Sequence, residues 1–190
     1  MLTALTGAAT YVETPLAGPV VRTFSAAFPR DQGNGPAAHG TTQDTQTGSA
    51  TVLLNITNLT SVAFSFTFTD NFGLGWRYPA GATFRVTSPE GNTSEAVCQP
   101  GASSSATIQF TMINIPPNDM VFLAEGESEA ARKASAKNPA CETGSGDWMV
   151  EVTVQRDIPI QIPRPGASIS WSLTTRVEWY SLQITELLRS

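Results

Sequence analysis

The sequence predicts an all-β fold, an antiparallel β-sandwich of the jelly-roll or immunoglobulin-like type with one short peripheral helix. Apolar and polar residues alternate with period two in most segments, as in strands with one buried face. Turns rich in Gly and Pro separate these segments. One segment alone has helical composition, so the helical crossovers of a parallel sheet are missing. A closed barrel is the alternative architecture.

The alternation is clearest in two neighbouring segments. Residues 61–69 alternate Val and Phe with Ser, Ala and Thr, and residues 51–57 alternate Val, Leu and Ile with polar residues. The short turn at 58–60 joins them, so we expect a hairpin.

The remaining strands follow the same rule. The last run changes its apolar phase near Trp179, which predicts a β-bulge. Further strands are expected at 20–28, 83–87, 106–112, 147–154, 158–162 and 169–184. The predicted core comprises Phe64, Phe66, Phe68, Phe110, Trp148, Val150, Val152 and Trp171.

Residues 125–137 form the predicted helix, because acidic residues come first and basic residues last, in the order that the helix dipole favours. The segment has no apolar stripe, so we expect a surface helix outside the core. Residues 29–48, 70–81 and 114–146 are expected to be loops, the third one carrying this helix.

Length and charge exclude several classes of protein. A chain of 190 residues fits one sandwich domain at 18–190, preceded by an extended arm at 1–17. The net charge of −5 argues against a nucleic-acid partner, which needs a basic face. No apolar run approaches the roughly 20 residues of a membrane span. With 24 Thr and 17 Ser against 14% charged residues, the polar surface is rich in hydroxyl groups.

Two cysteines predict an oxidising compartment. Cys98 and Cys141 lie in polar segments, where a buried thiol is unexpected. We expect them to form a disulfide, worth about 4 kcal/mol for so long a loop. A zinc site is excluded, because His39 is the one histidine.

Three sequons support an extracellular location. Asn55, Asn58 and Asn92 each begin an N-x-S/T motif, and all three are expected in turns or on outward-facing positions. N-linked glycans are therefore expected partners.

Catalytic motifs are missing, and no enzyme activity is expected. A catalytic triad needs a well-placed histidine, whereas His39 lies in a Gly- and Thr-rich segment without a G-x-S-x-G motif elsewhere. No cofactor is expected. Calcium is the least improbable metal, with Asp70, Asn71 and Asp119 as oxygen ligands in turns. The aromatics of the 70–81 loop are candidates for stacking on sugar rings.

Several segments resemble one family of secreted proteins. These are ATVLLNITNLTSVAFSFTFTDNFG, ATFRVTSPEGNTSEA, SSSATIQFTMINIPP, GDWMVEVTVQ and SWSLTTRVEWY, within residues 49–180. They are similar to archaeal secreted β-sandwich proteins, which share a Thr-rich hairpin, a T-S-P-x-G turn and a D-W strand. More distantly, they resemble the subunits of archaeal surface filaments of the thread and bundling-pilus type. The resemblance implies a cell-surface protein whose subunits donate a strand to their neighbours, and it carries over no catalytic residue.

The N-terminal arm suits this role. Residues 1–12 carry no charge, and Leu2, Leu5, Tyr11 and Val12 supply apolar contacts for a donor strand. We therefore expect a homopolymeric filament or pilus subunit. Pairing of the arm with its own sheet and disorder of the arm remain open. The alternative function is a secreted module that binds carbohydrate or calcium.

Overall fold

The computed structural model of the protein describes residues 20–74, 77–100, 104–112, 117–156 and 167–188. Within these ranges there are twelve strands and one helix. They are β1 (Arg22–Ala27), β2 (Arg30–Asn34), β3 (Ala38–Gln43), β4 (Thr47–Leu54), β5 (Leu59–Asp70), β6 (Gly81–Thr87), β7 (Thr93–Cys98), β8 (Ser105–Thr111), β9 (Met120–Ala124), α1 (Glu127–Lys137), β10 (Gly146–Gln155), β11 (Ser168–Tyr180) and β12 (Gln183–Leu187). The predicted arm at 1–17 and the predicted strand at 158–162 lie outside the described residues.

Two antiparallel sheets enclose the main core. One has the order β4-β10-β6-β7, and the other has the order β2-β11-β5-β8. β3 also pairs with β11: it lies along the first half of that strand, and β2 lies along the second half. The all-β prediction is confirmed. Seven of the eight predicted core residues are buried, and Phe110 is partly buried against the same cluster. Phe66 stacks on Phe84 across the two sheets, with ring centroids 4.5 Å apart.

The predicted hairpin of 51–57 and 61–69 is wrong. β4 pairs with β10, whereas β5 pairs with β11 and β8, so the two segments lie in opposite sheets. Asn58 turns the chain between the sheets with a positive φ of 57°. Alternation reveals that a strand has a buried face but not which strand lies beside it, so it could not separate these two arrangements.

The predicted loop at 29–48 is also wrong, because it contains β2 and β3. These strands have few apolar residues, and their backbone pairing with β11 defines them. Glycine permits the close approach: a Cβ on Gly40 would lie 2.7 Å from the Trp171 ring, and one on Gly33 would lie 3.1 Å from Trp179. The predicted bulge near Trp179 is confirmed by a register shift between Glu178 and Trp179.

A third sheet, β12-β1-β9, forms a small lobe together with α1. β1 and β12 continue the ladder that β2 and β11 begin, so the lobe extends from one end of the sandwich. Ala130 and Ala134 of α1 are fully buried against this sheet, in clusters that are separate from the main core. The helix prediction is confirmed in position, but its expected lack of a packing role is wrong: two alanines at i and i+4 form a narrow apolar stripe.

Within the described ranges, no helix has the length and apolar character required to cross a membrane.

Replacing Phe66 by Ala is expected to lower the free energy of unfolding by about 3–5 kcal/mol, because the residue is fully buried and stacked on Phe84. Urea titration measures the loss. The matched control is Val97→Ala on β7. Val97 is 57% exposed, so this substitution should lower the free energy of unfolding by less than about 0.5 kcal/mol. Equal losses for the two variants would contradict this packing.

Candidate functional site

A buried arginine joins three segments at one end of the sandwich. Arg156 follows β10, and its side chain is inaccessible to solvent. Its Nε donates to Oδ2 of Asp44 at 3.1 Å, and its Nη2 and Nη1 donate to Oδ1 and Oδ2 of Asp70 at 2.5 and 2.8 Å. Nη1 also donates to the carbonyl of Tyr78. We call these groups the Arg156 clamp. It ties the β3–β4 turn, the end of β5 and the 70–80 loop to β10.

The clamp engages Asp70, one of the predicted calcium ligands. The Asp70 carboxylate accepts hydrogen bonds from Arg156 and from the backbone amides of Phe72 and Ala80, at 2.9 and 3.2 Å. A calcium ion at these oxygens would face a guanidinium group, which repels it. Asn71 donates its amide to Oγ of Ser170 at 2.7 Å.

Asp119, the third predicted ligand, is exposed and lies outside the clamp. Among the described residues, no group of three or more His, Cys, Asp or Glu side chains is placed to hold a metal. Calcium binding by Asp70, Asn71 and Asp119 stays a prediction.

The clamp also sets the ionisation of its members. Partial burial alone would raise the pKa of Asp70, but hydrogen bonds from Arg156 and from the Phe72 amide outweigh it, so this pKa lies below its usual value. Burial opposes the charge of Arg156 too, and the two aspartates outweigh that effect and raise its pKa. Both groups are charged at neutral pH.

The aromatic loop packs against the clamp. The Phe72 ring lies 4.9 Å from the Arg156 guanidinium, and Arg77 lies 5.6 Å from the Tyr78 ring. Phe72 and Tyr78 are half-buried, and Trp76 lies outside the described residues. One face of Phe72 is thus already covered by a cation, which reduces the aromatic surface open to a sugar ring.

The predicted disulfide does not form within the chain. Cys98 is buried and donates its thiol to the carbonyl of Ser105, a residue that pairs with Thr67 near the end of β5. The Cys141 amide bonds to Asn58, which precedes β5. Cys141 thus lies near Asn58 and Cys98 near Thr67, and the chain between these two positions of β5 is about nine residues long, or roughly 30 Å when extended. A disulfide needs Cα atoms within about 7 Å. Burial raises the pKa of Cys98 and makes it a poor nucleophile.

The three sequons differ in accessibility. Asn55 and Asn92 are exposed, as predicted. Asn58 is half-buried: its Oδ1 accepts from the Cys141 amide at 2.8 Å and its Nδ2 donates to the carbonyl of Tyr180 at 3.5 Å. A sugar on Asn58 would disturb the turn between the sheets, so glycan acceptance is expected at Asn55 and Asn92 alone.

The least expected surface is the side of the lobe opposite α1. We call it the outer face and define it by the residues that point away from the helix: Thr23, Ser25, Val121, Leu123, Thr185 and Leu187. Val121 and Leu123 are 64% and 61% exposed. Their alternation with buried Phe122 and Ala124 is hidden in the uninterrupted apolar run MVFLA, which lies within the predicted loop at 114–146.

The described chain begins at the far tip of this lobe. Val20 and Val21 are more than half exposed, and they line a shallow groove with Leu187 and Leu188. The N-terminal arm therefore joins the body here, next to the outer face. The donor-strand residues Leu2, Leu5, Tyr11 and Val12 lie outside the described residues.

Comparisons with known proteins assign no family. No family model matches the chain, and no curated protein matches it. Among solved structures, one from Desmodium yellow mottle tymovirus is 10% identical, with a TM-score of 0.34, covering 100% of this chain and 95% of the other. One from turnip yellow mosaic virus is 7% identical, with a TM-score of 0.34, covering 90% and 98%. Likeness at this level carries no argument about function.

Replacing Arg156 by Met is expected to lower the free energy of unfolding by about 3–5 kcal/mol, because it leaves two carboxylates without their cation. The matched control is Arg85→Met, which removes exposed ion pairs with Glu95 and Glu151 and should cost less than about 1 kcal/mol. Chemical unfolding of both variants at neutral pH checks this. Similar losses would contradict the role of the clamp.

Acid should weaken the clamp through Asp70. Its folded pKa lies below the unfolded value of about 3.9, so its stabilising effect is present above that value and is lost as the pH falls through the folded pKa. Asp70→Asn should be less stable than the wild type at pH 7 and should show a flatter acid dependence of stability. Urea unfolding across the acid range measures both slopes, and parallel slopes would contradict the assignment.

Proposed function

We propose that the chain is a structural extracellular protein, the subunit of a cell-surface filament or pilus-like assembly, in which the N-terminal arm adds a strand to a neighbouring subunit. The observation that carries the proposal is the position of the arm's root. Val20 and Val21 lie exposed at the tip of a lobe that extends from the sandwich. An arm that leaves from a protruding tip is available to another subunit.

The linker between the arm and the lobe is long enough for donation between subunits. Seven residues, 13–19, separate the uncharged segment 1–12 from Val20, and they span at most about 24 Å. Pro15 and Pro19 favour extended backbone in this linker, since each restricts the residue before it. An extended linker of this length permits donation to a neighbouring subunit.

Open sheet edges supply acceptors. Within the described residues, β9 and β12 each pair with β1 alone. The free backbone groups of an edge strand accept an added strand, and pockets for alternate side chains then give specificity. A head-to-tail contact of this kind extends into a filament unless its rotation closes a ring.

The surface fits a structural role outside the cell. The outward positions of β5 and β11 carry mainly Ser and Thr, including Thr67 and Ser172, whose hydroxyl oxygens lie 2.7 Å apart. Asn55 and Asn92 are accessible for glycans. The alternative, a carbohydrate- or calcium-binding module, rests on the aromatics of the 70–81 loop and on Asp70, Asn71 and Asp119. Arg156 engages two of these residues, Asp70 and Phe72.

Deleting residues 1–14 is expected to abolish assembly while leaving a folded monomer, because both core regions lie within residues 20–188. Size-exclusion chromatography and negative-stain microscopy compare it with the intact chain, which should form filaments. The full-length variant Leu5→Asp should likewise fail to assemble, and Thr6→Ser is its matched control.

Unchanged assemblies after the deletion would contradict arm donation. Loss of stability with no change of oligomeric state would instead indicate that the arm pairs with its own sheet. Thermal unfolding of the same samples separates these outcomes.

A further inference from the structure

We infer that the cleft between the sandwich and the lobe is a binding site for a neutral saccharide, and that this saccharide is the glycan attached to Asn55. We call it the junction cleft. Residues 55–58 form its first wall, the C-terminal end of α1 and Ala140 form the second, and residues 179–182 form the third. The inference rests on the extracellular location in the proposed function and is independent of the N-terminal arm.

The attachment point identifies the occupant. Asn55, Ile56 and Thr57, the three residues of one sequon, all line the junction cleft, and the Asn55 side chain is exposed. A glycan on Asn55 therefore begins inside the cleft. Covalent attachment holds it there at a high effective concentration, so that even weak contacts fill the site.

The second accessible sequon differs in its surroundings. Asn92 lies in the turn between β6 and β7 and is not among the residues that line the cleft. A Cβ on the preceding Gly91 would meet no other atom within 4 Å, so this turn faces open space. A glycan on Asn92 extends into solvent and serves as the internal reference.

The size and polar groups of the cleft suit a saccharide. Its volume of about 520 Å³ lies within the range of about 300–1,000 Å³ that is usual for ligand sites. Side-chain amides and hydroxyls match sugar hydroxyls, which both donate and accept hydrogen bonds. Thr57, Ser135, Asn138 and Ser181 supply such groups around the cleft.

Aromatic rings add a stacking surface. Phe28 and Trp179 line the same cleft, and both are half-buried. The Trp179 ring is held in place over β2, since a Cβ on Gly33 would lie 3.1 Å from it. The electron-rich face of a fixed ring attracts C–H groups, which one side of a sugar ring presents.

The cleft is formed before any ligand enters it. The amide of Asn58 donates to the carbonyl of Cys141 at 2.7 Å, and Oδ1 of Asn58 accepts from the Cys141 amide at 2.8 Å. The Tyr180 amide donates to the carbonyl of Asn58 at 3.1 Å. These bonds join the three walls, so a ligand needs to order little of the protein on binding.

The test is enzymatic deglycosylation of the native, full-length chain, secreted by a eukaryotic cell line that attaches N-linked glycans. Peptide mass spectrometry follows release by a peptide N-glycosidase at Asn55 and Asn92 of the same molecule. The Asn55 glycan should be released at least about tenfold more slowly, because only its undocked fraction is open to the enzyme. After denaturation, the two rates should agree. Equal rates in the native protein, or an Asn55 that carries no glycan, overturn the inference.

Filling the cleft should expose the glycan. Ser135→Trp introduces a large ring from an exposed position of α1 that lines the cleft, so the release rate at Asn55 should rise to that at Asn92. The matched control is Ser128→Trp, which is exposed on the same helix but lies outside the lining, and it should leave the slow release unchanged. Slow release that persists in Ser135→Trp overturns the inference.

Thermal stability gives a second measurement. Thr57→Ala removes the sequon and keeps Asn55, whereas Thr57→Ser preserves the sequon. In protein from the eukaryotic cells, Thr57→Ala should unfold about 2–4 °C below Thr57→Ser, because a group bound to the folded state stabilises it. Made in bacteria without N-linked glycans, the two variants should unfold at the same temperature. An equally large difference in the bacterial pair means that the side chain causes it, and overturns the inference.

The arm variant Leu5→Asp separates this inference from the proposed assembly. Slow release at Asn55 in Leu5→Asp supports the inference whether or not filaments form. Slow release that is lost together with the filaments means that a neighbouring subunit covers the glycan, which overturns the inference. Filaments that persist in Leu5→Asp, with slow release retained, contradict arm donation alone.

Discussion

The Arg156 clamp is the interaction on which the shape of the sandwich depends. One inaccessible guanidinium holds carboxylates from the β3–β4 turn and from the end of β5. Arg156 follows β10 of one sheet, Asp70 ends β5 of the other, and the β3–β4 turn connects the two sheets. The clamp therefore fixes the sheets relative to each other where the apolar core ends. A buried cation needs partners, and both are present here, because Asp44 supplies the second carboxylate. The 70–80 loop is organised by the same group, which contacts Asp70, the carbonyl of Tyr78 and the ring of Phe72.

The lobe follows a different constraint. Once β11 passes its bulge at Trp179, its continuation β12 leaves the sandwich and pairs with β1. Three strands and one helix are too few to enclose two cores, so one side of the sheet packs on Ala130 and Ala134 while the other remains open. On that open side, Val121 and Leu123 are exposed.

The sequence alone predicted the all-β class, most of the main core and the position of α1, since these depend on local periodicity and composition. It failed where the answer lies in long-range pairing. Asp44 and Asp70 are distant in sequence from Arg156, and no local pattern marks them as its partners. β2 and β3 are defined by backbone bonds to β11. The predicted disulfide depended on the chemistry of an oxidising compartment. That chemistry carries no information on the distance between Cys98 and Cys141 in the fold, which the length of β5 determines.

We propose a single link for the assembly, the strand that the arm adds to a neighbouring subunit. Such a strand gains main-chain hydrogen bonds along a sheet edge, and pockets for alternate side chains supply the specificity. The described chain begins at Val20, at the tip of the lobe. Donation from that position would join subunits head to tail, and a contact of this kind extends into a filament unless its rotation closes a ring.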